Sequence, residues 1–230
     1  MEREYADRLY AADIRELEDE VVFQRWLSVM PPERREKIGR FRAEADKRRA
    51  LGAGIALRRA LGDAGLDPFP EILCEPGEKP RLRDGGLCFN LSHSGDMALC
   101  AVSGREVGVD VERYRSFTPE LIRTVFTAEE ISYVWERAGA DDGLRDRLFT
   151  SLWTVKESLM KYSGKGLAIP PGRICLDCSA LPRIVSLRKT GADHLEPDRF
   201  RFVTRFLEEH VYTVCTEGEP FTGSLTWVEL

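Results

Sequence analysis

The 230-residue sequence contains no run approaching the roughly 18 apolar residues that a transmembrane helix needs, and it opens on MEREYADRLY, which lacks the apolar core of a secretory signal. No membrane association and a cytoplasmic location are therefore expected. The charge balance lacks a basic excess: at −5 it argues against bulk affinity for nucleic acid or an anionic membrane. Cys175 and Cys178 form a C-x-x-C with no second pair beside it, and only His194 and His210 follow, at irregular spacing. That leaves neither a zinc nor a redox framework. The cysteines lie mostly in apolar, strand-like runs such as GLCFNLS and ALCAVS, where a reduced thiol serves as a small buried side chain. No G-x-S-x-G surrounds a serine, and adjacent Ser92 and His93 would diverge across a strand, so no nucleophile–base dyad is available. Gly52-Ala53-Gly54 begins like a dinucleotide fingerprint, but Leu57 occupies the third glycine position and no strand precedes it. Exact internal repeats and low-complexity tracts are absent as well.

What remains is a globular chain, 43% hydrophobic, with enough apolar content for a real core. After a short strand near Tyr5 to Ala12, the spacing of Leu17, Val21, Val22, Trp26 and Leu27 predicts a helix that Pro31-Pro32 ends. Glu33 to about Ala64 reads as two helices carrying the one dense basic region, from Arg34 to Arg59. Strands are expected at Leu87–Leu91, Met97–Val102 and Val107–Val111. Helices follow at Glu120–Phe126, Ala128–Arg137 and Leu144–Tyr162, then a strand-rich part through Trp227. The fold class is α+β, with two subdomains, 1–104 and 105–230.

Within Val107-Gly108-Val109-Asp110-Val111-Glu112 the valines alternate with Gly, Asp and Glu, so a strand would project Asp110 and Glu112 from one face. At roughly 6 Å and an effective dielectric of about 20, their repulsion is on the order of 3 kcal/mol, which invites a cation or a proton if the face is sheltered. Gly108 on the same face leaves room for a ligand. A hydrated edge strand remains open on spacing alone. In Trp153-Thr154-Val155-Lys156-Glu157-Ser158-Leu159-Met160-Lys161, the core stripe Leu148, Leu152, Val155 and Leu159 leaves Trp153, Glu157 and Lys161 aligned on the far side. Glu157 and Lys161 could be an ordinary surface pair, but an exposed Trp beside them needs a cover. Few carboxylates with substrate phosphates suit Mg²⁺, and the basic helices with Lys79 offer further partners for phosphate.

Together, Val107 to Glu112, Phe126-Thr127-Ala128-Glu129-Glu130 and Trp153 to Lys161 resemble, in order and spacing, the signature of the 4'-phosphopantetheinyl transferase superfamily. Pro32-Glu33-Arg34-Arg35-Glu36-Lys37, Lys79-Pro80 and Phe89-Asn90-Leu91-Ser92-His93-Ser94 resemble its long, surfactin-synthetase-activating (Sfp-type) branch. The resemblance spans roughly residues 25 to 170. It implies two pseudo-symmetric α/β subdomains in one pseudodimeric monomer, with coenzyme A in the cleft between them. It implies Mg²⁺, or Mn²⁺, on Asp110, Glu112 and Glu157. It further implies that Arg34, Lys37 and Arg49 contact coenzyme A phosphates, that Lys79 and His93 flank its nucleotide end, and that Ser92 and Lys156 add contacts. Arg34 stands where the family pattern has lysine, keeping the charge but changing its geometry.

The implied reaction moves 4'-phosphopantetheine from coenzyme A to a serine of an apo acyl, aryl or peptidyl carrier protein, as in polyketide or nonribosomal peptide synthesis. Glu157 would accept the serine proton and Lys161 would stabilise the leaving adenosine 3',5'-bisphosphate. Carrier docking is expected around Phe117, Leu121 and Arg123. Two other readings use the same residues: a metal-dependent phosphohydrolase that activates water, and a noncatalytic coenzyme A-binding module.

Overall fold

The computed structural model describes residues 5–75, 78–178, 186–192 and 195–230. Two compact units emerge: the first takes the described residues up to Glu75, Pro80–Arg105 and Thr222–Leu230, and the second takes residues 78–79 and the described part of Glu106–Phe221.

The first unit begins with β1 (Arg8–Asp13) and a 3-10 turn over Ile14–Glu18, followed by helices α1 (Glu20–Ser28), α2 (Pro32–Gly39) and α3 (Glu44–Asp63). The Asp19 carboxylate accepts the Val21 and Val22 amides, so the single expected helix divides there, with Leu17 buried in the turn and Val21 exposed. Pro32 starts α2 at the first helical position, where its missing N–H costs nothing. A short pair, β2 (Ile72–Leu73) and β3 (Arg81–Leu82), precedes the hairpin β4 (Cys88–Ser94) and β5 (Met97–Ser103). Its two-residue turn holds Gly95 at φ +58, which a side chain would resist. α3 packs Leu51, Ile55 and Leu61 into a core with Tyr10, Phe89 and Cys100. The Gly52-Ala53-Gly54 run serves this packing: a Cβ at Gly52 would stand 2.6 Å from the Ile14 methyl, and one at Gly54 2.6 Å from Arg34 Nε.

The second unit runs β6 (Val107–Arg113), α4 (Pro119–Val125), α5 (Ala128–Ala138), α6 (Asp142–Ser163), β7 (Ile174–Asp177), β8 (Ser186–Thr190), β9 (Phe200–Phe206) and β10 (His210–Glu217). Asp141 caps the start of α6, and Gly164 at φ +69 ends it. α6 seats Leu152, Val155 and Leu159 in a core shared with Phe126, Phe149 and Cys215.

The final strand, β11 (Leu225–Trp227), pairs in parallel with β1, so Thr222–Leu230 lies with the first unit and not with residues 106–221. A division drawn along the chain at 104 misses this, because pairing across some 215 residues leaves no local pattern. The first sheet has the order β11-β1-β5-β4 and the second β6-β10-β9. Without its last strand, the first unit repeats the second: a strand, three helices, then a hairpin whose second strand returns beside the first. Counted from the hairpin turn, Asp13 opposite Met97 corresponds to Arg113 opposite His210. Tyr10 and Ala12 thus take the places of Asp110 and Glu112, and the carboxylate pair belongs to one unit alone. No helix of the described residues is long and apolar enough to cross a membrane.

Candidate active site

β6 is buried along most of its length. Val107, Val109 and Val111 are at most 1% exposed and Asp110 is 2% exposed. β6 does stand at the edge of its sheet, but with Asp110 buried and Glu112 half-buried, the open alternative of an edge strand with both acids hydrated is excluded. The face bearing Gly108, Asp110 and Glu112 lies under α6. What permits the approach is Gly108, where a Cβ would fall 2.1 Å from the Ser158 carbonyl oxygen and 2.6 Å from the Tyr162 nitrogen. The space that the sequence assigned to a ligand is filled by helix backbone.

This contact brings the helix's polar row onto the strand's acids. Lys161 Nζ donates to Asp110 Oδ1 at 2.7 Å, and Trp153 Nε1 donates to Glu112 Oε1 at 3.0 Å. Glu157 stands one turn from each donor on the same helix face. Trp153 is not an exposed aromatic awaiting a ligand; it is half-buried against the core of its unit, with its N–H bonded to Glu112.

Burial pushes the Asp110 carboxyl up to about 7, Lys161 opposes the rise, and Glu112 and Glu157 add to it. Burial likewise raises Glu157, against Lys161 and with Glu112. The three acids therefore feel one another, and a cation near them relieves the cost of keeping all three ionised. Among the described residues, no three His, Cys, Asp or Glu side chains converge into a ready-made cage. Mg²⁺ requires none, since it keeps several waters and takes one or two carboxylates with substrate phosphates. An all-oxygen donor set around a buried acid fits that ion. Behind Asp110, across the ladder, Thr213 Oγ1 lies 2.9 Å from the hydroxyls of both Thr154 and Thr204. These hydroxyls, which the sequence reading missed, form a satisfied polar floor.

The remaining candidates divide between the units. In the first, Arg49 donates to the Gly95 carbonyl at 3.1 Å and to Asp46 at 2.7 Å, which ties it to the hairpin turn beyond Ser92 and His93. Ser92 is buried and His93 exposed, on opposite faces of β4. Arg34 is half-buried over Gly54, where desolvation lowers its proton affinity, and Lys37 is exposed on α2. In the second unit, Lys79 holds Glu106 at 3.2 Å and the Val107 carbonyl, at the root of β6.

Two expectations are corrected. Lys156, assigned to coenzyme A, is 0% exposed, and its ammonium donates to Glu130 Oε2 at 2.7 Å, the Val125 carbonyl at 2.8 Å and the Pro171 carbonyl at 3.1 Å. Three protons meet three internal acceptors, leaving none for a ligand. Phe117, assigned to carrier docking, is 8% exposed and packs edge-on against Phe126; Leu121 is half-buried against the same core, and only Arg123 is exposed. Glu130 was legible as the last residue of a T-x-x-E capping box, though not as the partner of Lys156. Among the described residues the cysteines are free thiols, Cys178 buried and Cys175 partly so; His194 lies outside the described residues.

The family profile described as the 4'-phosphopantetheinyl transferase superfamily matches residues 106–215, which holds every residue of the carboxylate site. A 4'-phosphopantetheinyl transferase of Bacillus subtilis is 35% identical over 151 residues, 64% of this chain and 65% of that protein. The 4'-phosphopantetheinyl transferase Sfp of Bacillus subtilis strain 168 is 31% identical over 150 residues, 64% of this chain and 66% of its own. The match thus spans slightly less than two thirds of either relative. The mouse L-aminoadipate-semialdehyde dehydrogenase-phosphopantetheinyl transferase is 30% identical over 220 residues, covering 85% of this chain and 70% of that protein.

Proposed function

The chain belongs to the 4'-phosphopantetheinyl transferase superfamily, and from that premise we propose that it transfers 4'-phosphopantetheine from coenzyme A to a serine of an apo carrier protein. The serine hydroxyl attacks the phosphorus that bears pantetheine, the bond to the bridging oxygen breaks, and adenosine 3',5'-bisphosphate leaves. The observation that carries this reading is the buried acid of β6 held against the Glu157 and Lys161 face of α6, with Lys161 bonded to Asp110 at 2.7 Å.

In this reading Asp110, Glu112 and Glu157 hold Mg²⁺, and their oxygen donors tolerate Mn²⁺ as well. When bound, the metal supplies positive charge against the pyrophosphate. Glu157, one turn from Lys161 and with a raised proton affinity, accepts the serine proton directly or through water. Lys161 hydrogen-bonds the departing phosphate. Arg34, Lys37, Arg49, Lys79, Ser92 and His93 contact coenzyme A, the cations meeting phosphate charge and Ser92 adding a hydrogen bond. Lys156 has no part in that set. Carriers of the acyl or peptidyl kind are the partners, and the enzyme works in the cytoplasm as a monomer.

The deciding experiment incubates the chain with Mg²⁺, coenzyme A and apo carriers from fatty-acid, polyketide and nonribosomal-peptide systems side by side. Mass gain on a carrier serine supports transfer. Phosphate released from coenzyme A with every carrier unmodified would establish the phosphohydrolase instead, and tight coenzyme A binding with neither outcome would establish a binding module.

A further inference from the structure

A lysine without exposure, next in sequence to the proposed base, calls for an account. Lys156 Nζ reaches the end of α4 through the Val125 carbonyl, the start of α5 through Glu130, and the segment after α6 through the Pro171 carbonyl. Its ammonium also lies 5.3 Å from the Phe126 ring centroid. Glu130, also 0% exposed, accepts the Thr127 amide at 2.9 Å through Oε2, closing the capping box of α5, and the Leu176 amide of β7 at 2.9 Å through Oε1. One ion pair thus fastens the middle of α6 to four other segments of its unit.

Such a pair is an inefficient way to gain stability, since apolar side chains of similar volume often do as well once desolvation is counted. Its geometry has a more specific consequence. Successive helix residues advance by about 100°, so fixing Lys156 fixes the direction in which Glu157 leaves α6. The helix is held from the other side at Gly108, where Ser158 and Tyr162 press on β6. Carboxylate ends stand about 6 Å from a helix axis, so a 10° turn of α6 would sweep Glu157 by about 1 Å. Displacements of that size cost on the order of 100-fold in rate, and metal ligands tolerate only about 0.2 Å.

We propose that the buried Lys156–Glu130 pair is a positioning device that sets the rotation of α6, and with it Glu157 and Lys161, against Asp110 and Glu112. This rests on the reading of those side chains as the metal-binding, proton-accepting set. Lys156 and Glu130 touch no substrate; they act through Glu157.

The test uses the full chain and three variants, Glu130→Gln, Lys156→Met and the uncharged pair Lys156→Met/Glu130→Gln. Mn²⁺ affinity is followed by electron paramagnetic resonance, transfer to an apo carrier gives kcat and the KM for coenzyme A, and thermal melting reports stability. Lys156→Met alone strands a buried carboxylate and Glu130→Gln alone a buried ammonium, so both melt below wild type; the uncharged pair recovers much of that loss. Outer supports of metal ligands typically contribute about 10- to 100-fold. Glu130→Gln and the uncharged pair should therefore bind Mn²⁺ about 10-fold more weakly and lose about 10- to 100-fold in kcat, with KM within about 3-fold. A merely structural pair predicts that kcat and Mn²⁺ affinity return together with melting temperature, and that result overturns the proposal. If Lys156→Met does not fold, the uncharged pair, which strands no buried charge, decides, with Glu130→Gln beside it. A wild-type chain that neither binds Mn²⁺ nor modifies a carrier defeats the functional reading itself, whereas a competent wild type with an unimpaired Glu130→Gln defeats only the positioning role.

Discussion

Gly108→Ala perturbs the site without touching a charge. The added carbon would lie 2.1 Å from the Ser158 carbonyl oxygen and 2.6 Å from the Tyr162 nitrogen, both backbone atoms of a 22-residue helix. Carbon–oxygen contacts settle near about 3.3 Å, so α6 must retreat by about 1 Å. The Lys161–Asp110 bond, at 2.7 Å, and the Trp153–Glu112 bond, at 3.0 Å, would then stretch beyond hydrogen-bond range. Overpacking costs about 1–3 kcal/mol, and losing a charged hydrogen bond at buried Asp110 adds about 1.5–3 kcal/mol. The sum, about 3–6 kcal/mol, lowers the melting transition by on the order of 10 °C for a chain of this size. Displacing Glu157 by about 1 Å lowers carrier modification by on the order of 100-fold. Scanning calorimetry and an initial-rate carrier assay read the two effects. A Gly108→Ala chain that melts within about 1 °C of wild type and transfers at the wild-type rate would refute the close packing of α6 on β6.

Glu157→Gln is expected to lower kcat by about 100- to 10,000-fold, the usual contribution of a general base, and an initial-rate assay with near-normal transfer would remove that assignment. Trp153→Phe removes one indole hydrogen bond to Glu112 and should cost about 1 kcal/mol in urea unfolding. In metal-free protein the folded Asp110 carboxyl sits at about 7 against an ordinary 3.8, so the folded state holds a proton that the unfolded state releases. Its contribution is fully present below about pH 4 and declines as pH rises through about 7, by up to about 4 kcal/mol. Urea titrations in chelator at several pH values should show that slope, and Asp110→Asn should flatten it. Leu121→Asp, which places a charge against the core cluster that includes Phe117 and Phe126, should lower the melting temperature whether or not a carrier binds nearby.

Local pattern carried much of this. Alternating valines marked β6 and put Asp110 and Glu112 on one face, and the 3.6-residue period aligned Trp153, Glu157 and Lys161 on α6. What local pattern could not carry was the partner of each face. The face of β6 looked like an edge open to a ligand because nothing in Val107–Glu112 announces that the backbone of Ser158 will lie upon it. Lys156 carried no local sign of burial, since its acceptors come from residues 125, 130 and 171. Phe117 looked available for docking because its cover, Phe126 and Phe149, follows later in the chain. The return of β11 to β1 is the same kind of fact. The repeated connectivity of the two units also left no sequence repeat, because Tyr10 and Ala12 in one copy answer to Asp110 and Glu112 in the other.

The central claim is that Asp110, Glu112 and Glu157 serve a phosphoryl transfer to a carrier serine. Intact-mass analysis of an apo carrier, after incubation with the chain and coenzyme A in Mg²⁺ or in chelator, tests it most directly. The expected result is one phosphopantetheine added to the carrier serine in Mg²⁺, none in chelator, and addition slowed by about 100- to 10,000-fold with Glu157→Gln. A carrier modified equally well in chelator would contradict the metal role of the three carboxylates, and a carrier unchanged under every condition would contradict the transfer itself.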